Sequence, residues 1–122
     1  MVNKIKEATQ KSSKLNNSCI FCKIATHKIP SEPVLENDKF IAIYDINPVS
    51  KGHTLVIPKK HIKDFFELPN QDANFIKEYL DFIAQVTKIL QGKYSPKGIR
   101  ISWNTYGLLE VNHIHAHLIP VY

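Results

Sequence analysis

The sequence is poor in the features that mark several large classes of protein. Only Arg100 among its 16 lysine and arginine residues is an arginine, whereas proteins that read nucleic acids usually depend on arginine for bidentate contacts. No apolar run approaches the roughly eighteen residues that a transmembrane helix needs, and the N-terminus lacks the apolar core of a secretory signal. These absences predict a cytoplasmic protein with no membrane partner and no specific nucleic-acid partner.

Cysteine is scarce as well. Cys19 and Cys22 are the only two, in a C-x-x-C spacing. The two thiols could form a strained disulfide or a redox pair, pack as small apolar groups, or provide half of a metal site. A structural disulfide is not expected in a cytosolic chain. A structural zinc ion would require two further ligands to complete its tetrahedron.

What the chain does contain is typical of one globular domain. It has 122 residues, 43% of them hydrophobic and 22% charged, which is enough for one core and too little for two. Four lysines and one glutamate within residues 1–18 account for +3 of the formal net charge of +5. Because this segment has few apolar side chains to bury, we predict a flexible basic tail over residues 1–18 and a folded domain over residues 19–122.

Three histidines recur at every second position near the C-terminus: His113, His115 and His117. Since a β-strand turns alternate side chains to opposite faces, this spacing predicts a strand with one face of imidazoles and an apolar face toward the core. Three interpretations fit such a face: a solvated surface that happens to carry histidine, a metal site, or a phosphate-handling site. The last is chemically reasonable because imidazole can attack phosphorus when neutral and bind phosphate oxygens when charged.

The H-x-H-x-H pattern followed by apolar residues resembles the defining motif of the histidine triad (HIT) nucleotide-binding proteins. Three further stretches resemble the same family in the same order. Residues 19–24 resemble its zinc-binding C-x-x-C opening, residues 45–48 its ribose-binding turn, and residues 52–61 its central strand. The resemblance therefore implies a HIT domain over residues 19–122.

The remaining pattern predicts an α+β domain with about five strands in a mostly antiparallel sheet. Runs rich in β-branched and aromatic residues, separated by turn residues, predict four strands before the triad strand: residues 34–36, 40–44, 53–57 and 99–104. Apolar residues at helical spacing predict one long helix that begins after Asn70 or Asp72 and ends at Gly92. Short helical turns are expected around residues 64–69. The resemblance further implies a homodimer whose two sheets join into one larger sheet.

The resemblance also implies a reaction, in which a nucleotidyl group is transferred to histidine and then hydrolysed. His115 would attack the α-phosphorus, and the backbone carbonyl of His113 would accept a proton from its ring and fix the tautomer. His117 and His53 would contact the phosphate oxygens and the leaving group, and Asn104 would add a neutral donor. No catalytic cofactor is expected.

A nucleotide pocket and a metal site follow from the same resemblance. Asp45 would accept hydrogen bonds from the ribose hydroxyls, although a carboxylate there could equally cap the turn. Five apolar side chains would wall the purine, or else belong to ordinary core: Ile20, Phe21, Ile24, Ile43 and Ile46. His61 and His113 would complete a structural zinc site with Cys19 and Cys22.

The predicted function is that of a purine nucleoside phosphoramidase or a related nucleotide hydrolase. Two alternatives remain, a dinucleoside polyphosphate hydrolase and a non-catalytic nucleotide-binding or interaction protein. Residues 107–110 read Gly-Leu-Leu-Glu, whereas relatives usually have Gly-Gln and a small hydroxyl residue that help to hold phosphate. Asn104 is also about two residues closer to the triad than in relatives. Since Glu110 would repel phosphate if it pointed inward, we expect this loop to alter rate and substrate preference.

Overall fold

The computed structural model describes residues 19–122. The flexible tail predicted for residues 1–18 lies outside the described residues. Within the described range the chain forms, in order, these elements: α1 (Ile20–Ala25), β1 (Leu35–Glu36), β2 (Phe40–Tyr44), β3 (Thr54–Pro58), a 3₁₀ helix (Phe65–Asn70), α2 (Ala73–Tyr94), β4 (Gly98–Ser102), a second 3₁₀ helix (Tyr106–Leu108) and β5 (Ala116–Val121). None of the described helices is long and apolar enough to cross a membrane.

The five strands form one sheet in the order β1-β2-β3-β5-β4, and every neighbouring pair is antiparallel. Asn37 shapes the β1–β2 hairpin, since its side-chain oxygen accepts hydrogen bonds from the backbone of Lys39 and Phe40 at 2.8 and 2.9 Å. The predicted α+β fold, with its five-stranded antiparallel sheet and one long helix, is confirmed.

The predicted strands at residues 34–36, 53–57 and 99–104 differ from β1, β3 and β4 by one or two residues at their ends, and two further differences concern the end of α2 and the start of β5. The side chain of Asp72 accepts a hydrogen bond from the Asn74 amide and caps α2, as predicted, but the helix continues past Gly92 to Tyr94. Ser95 closes it in the left-handed conformation, with φ of 49° and its amide bonded to the Gln91 carbonyl. The helix end was predicted too early because a glycine near a helix end does not have to be the residue that turns left-handed.

The triad strand begins at Ala116, so the prediction that all three histidines lie on one strand was wrong. The amide of His113 bonds to the Val111 carbonyl at 2.8 Å, and the amide of Ile114 bonds to the Ile62 carbonyl at 2.7 Å. These bonds hold the chain in a turn just before the sheet. The alternation of side chains nevertheless persists, because Ile114 packs in the same core as Ala116.

The sheet separates two cores. One face of β2, β3 and β5 packs against α2, around the buried rings of Phe40, Tyr79 and Phe82. The buried hydroxyl of Tyr79 donates a hydrogen bond to the Val56 carbonyl at 3.0 Å, so it does not lack a partner. The opposite face of β2 and β3 packs against α1. This second, smaller core carries the candidate site.

Candidate active site and metal centre

A cavity of about 670 Å³ opens on the α1 side of the sheet. Its volume is in the range of small-molecule sites in proteins. The structure brings the predicted nucleotide-site residues to its lining: Ile20, Phe21, Ile24, Ile43, Asp45, Ile46, His53, Asn104, His115 and His117. His113 does not line it. Most of the predicted apolar residues form the wall, whereas Ile46, which is 69% exposed, lies at the mouth.

The ring of His115 is held with one nitrogen bonded and the other free. Its Nδ1 lies 2.8 Å from the His113 carbonyl oxygen, so Nδ1–H donates and Nε2 keeps its lone pair. The ring of Phe21 packs edge-on against it at 4.9 Å between centroids. Burial is the main reason that the pKa of His115 falls to about 4, and the nearby His117 adds to the shift. At neutral pH the ring is therefore an uncharged base that can attack phosphorus.

His53 and His117 form a hydrogen-bonded pair whose tautomers are fixed from one end. The Val49 amide donates to His53 Nδ1 at 3.0 Å, so the His53 proton is on Nε2, which lies 3.0 Å from His117 Nδ1. His117 then carries its own proton on Nε2, 3.3 Å from the amide nitrogen of Asn104. Two donors cannot bond, so the Asn104 amide must be turned to present its oxygen. This pair offers an N–H to whatever lies in the cavity.

Burial lowers the pKa of both rings in this pair. For His53 the negative charge of Asp45 opposes the effect. For His117 the charge on His53 adds to it, whereas Asp45 and Glu110 oppose it. Both rings are accordingly neutral near pH 7, which agrees with the tautomers that their hydrogen bonds require.

The carboxylate of Asp45 has two contacts. Its Oδ1 accepts the Asn47 amide at 2.9 Å, which is the turn-capping role that the sequence allowed. Its Oδ2 lies 3.5 Å from His53 Nε2. Because Asp45 also lines the cavity, the turn cap leaves this second oxygen available to a ligand hydroxyl.

A separate cluster lies on the inner side of α1. One ligand atom from each of Cys19, Cys22, His61 and His113 falls within 4.8 Å of the others. The thiol of Cys22 is 3.1 Å from His61 Nδ1 and 3.4 Å from His113 Nδ1, and the two Nδ1 atoms are 3.1 Å apart. Two thiols and two imidazoles make the donor set of a structural zinc site. The cluster can therefore hold a metal ion.

His113 and Cys19 have the proton states that a metal requires, whereas Cys22 would lose its proton on binding one. His113 Nε2 donates to the Pro58 carbonyl at 2.7 Å, which leaves the Nδ1 lone pair facing the thiols. The pKa of Cys19 falls to about 3, mainly because Cys22 donates a hydrogen bond to it, and His113 adds to the shift. The pKa of Cys22 rises for the complementary reason. His61 Nε2 is buried without a partner among the described residues.

Sequence reasoning missed several residues of the cavity. Val49 acts through its backbone amide, which has no side-chain signature, and Ile29, Leu55 and Val111 extend the apolar wall. Leu108 also lines the cavity, and so does Glu110, the residue that the sequence singled out as unlike relatives. In the lining, the charged side chains are all acidic: Glu32, Asp45 and Glu110.

Comparison with known proteins gives a consistent result. A family profile for the HIT domain matches residues 26–122. The chain is 43% identical over 107 residues to an uncharacterized HIT-like protein of Methanocaldococcus jannaschii, covering 85% of this chain and 79% of that protein. It is 36% identical over 105 residues to the adenosine 5′-monophosphoramidase of Schizosaccharomyces pombe, covering 84% and 74%. A crystal structure of a HIT family member from Bacillus subtilis superposes with a TM-score of 0.78 at 37% identity, covering 85% and 73%.

Proposed function

Because this chain belongs to the HIT domain family, we propose that it is a nucleotide hydrolase acting on purine nucleoside 5′-phosphoramidates. The observation that carries this proposal is the state of His115. Its Nδ1–H is committed to the His113 carbonyl, and its free Nε2 belongs to a residue that lines a nucleotide-sized cavity. A nucleophilic imidazole needs this combination of a fixed tautomer and an available lone pair.

In the proposed reaction, His115 Nε2 attacks the α-phosphorus and the phosphorus–nitrogen bond of the substrate breaks, with its electron pair leaving on nitrogen. The leaving nitrogen takes the proton of His117 Nε2, and the water of the second step restores that proton. The nucleotidyl group is then bound to His115. Water releases the nucleoside monophosphate and returns the electron pair to Nε2. Over both steps one water molecule is consumed, with one proton ending on the leaving nitrogen and the hydroxide on phosphorus.

The other cavity residues position the substrate and its charge. His117 presents Nε2–H to a phosphate oxygen, and His53 holds His117 in that tautomer. In the substrate complex this phosphate oxygen would replace the Asn104 oxygen as the acceptor of the His117 proton, and Asn104 would turn its amide nitrogen to the same phosphate oxygen. Asp45 accepts the ribose hydroxyls, and the purine lies against the apolar wall formed by α1 and β2. Each group is held before substrate arrives, which lowers the cost of reaching the transition state.

We further propose that the cluster of two cysteines and two histidines binds a structural zinc ion. Cys19 and Cys22 belong to the start of α1, whereas His61 follows β3 and His113 precedes β5. Bound zinc would supply a closed four-ligand link between these segments and no catalytic water. The residues of α1 that line the cavity would thereby be tied to the chain that carries the nucleophile.

We also propose the homodimer that the family resemblance implies, and an exposed edge of the sheet supports it. In the sheet order, β4 is an edge strand and its Ile101 side chain is 47% exposed. An exposed edge with apolar side chains can pair with the same strand of a second copy. Sedimentation of the purified protein would distinguish a monomer from a dimer.

The enzymatic proposal is tested with a fluorogenic adenosine 5′-phosphoramidate. The relative from Schizosaccharomyces pombe is named an adenosine 5′-monophosphoramidase, and this name supports the choice of substrate. We expect amine release by the unaltered protein and a loss of at least about a thousandfold in His115→Ala, because the nucleophile is gone. His27→Ala is the matched control, since His27 is an exposed ring paired with Glu36 outside the cavity lining. Equal turnover in His115→Ala and the unaltered protein would overturn the proposal.

The two alternatives are separated by product analysis. The lining of the described cavity contains no lysine or arginine, and a polyphosphate chain normally requires such cations. This composition disfavours dinucleoside polyphosphates as substrates. Tight nucleotide binding without turnover of any substrate would instead select the non-catalytic alternative.

A further inference from the structure

Glu110 has no part in the proposed reaction, although it lines the cavity. The substrate brings a negative phosphate group, and the cavity lining within residues 19–122 contains no lysine or arginine to meet it. Asp45 caps a turn through Oδ1 and is assigned to the ribose in the proposed reaction. Glu32 and Glu110 have no such task, and of these two only Glu110 is a charge that acts on His117. A carboxylate in that position raises the cost of binding phosphate unless the substrate compensates for it.

The loop before the triad brings Glu110 to the lining of the cavity that His115 and His117 also line. Tyr106 adopts a left-handed conformation with φ of 51° and begins the short 3₁₀ helix. The amides of Leu108 and Leu109 close the turn on the carbonyls of Thr105 and Tyr106 at 3.1 and 3.0 Å. After this turn Glu110 reaches the lining close enough for its charge to raise the pKa of His117 against the effect of burial.

Apolar surface accompanies the carboxylate. Leu108 lines the cavity and is 71% exposed, and Val49, beside His53, lines it and is 72% exposed. The purine wall belongs to α1 and β2, so these two side chains are free to contact the part of the substrate beyond phosphorus. An alkyl chain that ends in a positive charge would match both the apolar rim and the carboxylate.

We propose that Glu110 is a specificity residue that selects nucleoside phosphoramidates whose leaving amine carries a second, positively charged group on an alkyl chain. This inference rests on the proposed function, since it concerns the leaving group of that reaction. The bond that breaks is the phosphorus–nitrogen bond already described, and the distal ammonium keeps its proton throughout. Its charge offsets that of Glu110 in the bound state, while Leu108 and Val49 contact the alkyl stem.

The test uses three adenosine 5′-phosphoramidates that differ only at the far end of the amine. The amines are 1,4-diaminobutane, butylamine and 4-aminobutanoate, with a positive, neutral and negative end. For the unaltered protein we expect kcat/KM to fall in that order, with about a tenfold step between the first two at low ionic strength. Added salt should reduce this step, because the carboxylate is exposed enough to be screened.

Variants assign the preference to one carboxylate. In Glu110→Gln the three substrates should react with kcat/KM values within about twofold of one another, and Glu110→Lys should favour 4-aminobutanoate. Glu78→Gln removes the same charge from the outer face of α2, where Glu78 pairs with Lys39, and should keep the original order. A thermal melt of each variant establishes that it is folded.

The outcomes separate this inference from the function on which it rests. Equal kcat/KM for all three substrates in the unaltered protein would overturn the inference and leave the hydrolase proposal standing. A cation preference that persists in both Glu110 variants would do the same. No turnover of any of the three by the unaltered protein would overturn both.

Discussion

Two histidine pairs in this protein have nearly the same spacing and opposite properties. The Nδ1 atoms of His61 and His113 are 3.1 Å apart, and His53 Nε2 is 3.0 Å from His117 Nδ1. In the first pair, His113 gives its proton outward to a carbonyl and turns a lone pair inward. In the second pair, a backbone amide occupies the outer nitrogen of His53, so the proton is turned inward.

A single backbone group therefore decides what each pair can bind. A carbonyl behind the ring prepares a metal ligand, which is the usual arrangement around ligating histidines. An amide behind the ring prepares a hydrogen-bond donor instead. Asp45, His53 and His117 also lie close enough together to hold a metal ion by distance alone. Binding there would require His53 to lose its ring proton and become an anion, so this group fits a hydrogen-bond chain better than a metal site.

The largest expected effect comes from removing one ligand of the proposed zinc site. We expect Cys19→Ser to lower the thermal midpoint by at least about 10 °C, because it removes one of four ligands from an ion whose binding contributes to folding. A chelator should lower the midpoint of the unaltered protein similarly and have little further effect on the variant. Scanning calorimetry measures both, and Lys28→Ser, at an exposed position outside the cluster, is the control.

Metal analysis decides the same point independently. Protein purified without added zinc should contain close to one equivalent. Less than about half an equivalent, together with an unchanged melting temperature in Cys19→Ser, would return the two thiols to ordinary packing.

A smaller effect is expected from a change that disturbs the hydrogen-bonded pair of His53 and His117. Val49→Pro removes the amide that holds His53 and leaves every imidazole in place. We expect kcat/KM for the phosphoramidate to fall about tenfold, since the loss of one hydrogen bond frees the tautomers of the pair. Val49→Ala keeps the amide and is the matched control. Similar kinetics in the two variants, both with unchanged circular dichroism, would mean that the amide does not set the tautomer.

The smallest expected effect near neutral pH is on the pH dependence of kcat/KM, which reports the protonation of His115. Because burial lowers the pKa of His115 to about 4, the ring keeps its lone pair down to about that pH. We expect kcat/KM to be nearly level through pH 6.5, the ordinary value for histidine, and to fall only as pH approaches about 4. The sign follows because protonation removes the nucleophile. A midpoint near 6.5 in the pH profile would contradict this prediction.

The same shift has a consequence for stability. A histidine with a lower pKa in the folded state binds fewer protons there than in the unfolded chain, so folding is favoured above the unfolded value of 6.5. This contribution is lost progressively as pH falls from about 6.5 toward about 4. Denaturant titrations at several pH values would measure the slope.

Much of the fold could be predicted because its signals are local. The Asn37 turn, the Asp72 cap and the apolar residues between the histidines each act within a few positions of themselves. The start of β5 could not be predicted in the same way. It depends on a bond from Ile114 to the Ile62 carbonyl, which the chain brings together from 52 positions away.

The candidate site shows the same difference between groups that the sequence reveals and groups that only the folded chain reveals. The lining residues that the sequence identified are those whose side chains carry the chemistry, among them His115, Asp45 and Asn104. Val49 and the carbonyl of Pro58 were not identified, because any residue type supplies a backbone group. The His113 carbonyl was expected only because the family resemblance implied it. The other backbone groups that set the ring protons are seen only in the folded chain.

His113 contributes to both the cysteine and histidine cluster and the candidate active site. Its ring is one corner of the cysteine and histidine cluster, and its carbonyl oxygen orients His115. This shared residue gives the proposed zinc site and the proposed nucleophile a direct route for coupling, and any such coupling must be reciprocal. If both proposals hold, a nucleotide that favours the oriented ring of His115 would strengthen zinc binding at the cluster by the same factor.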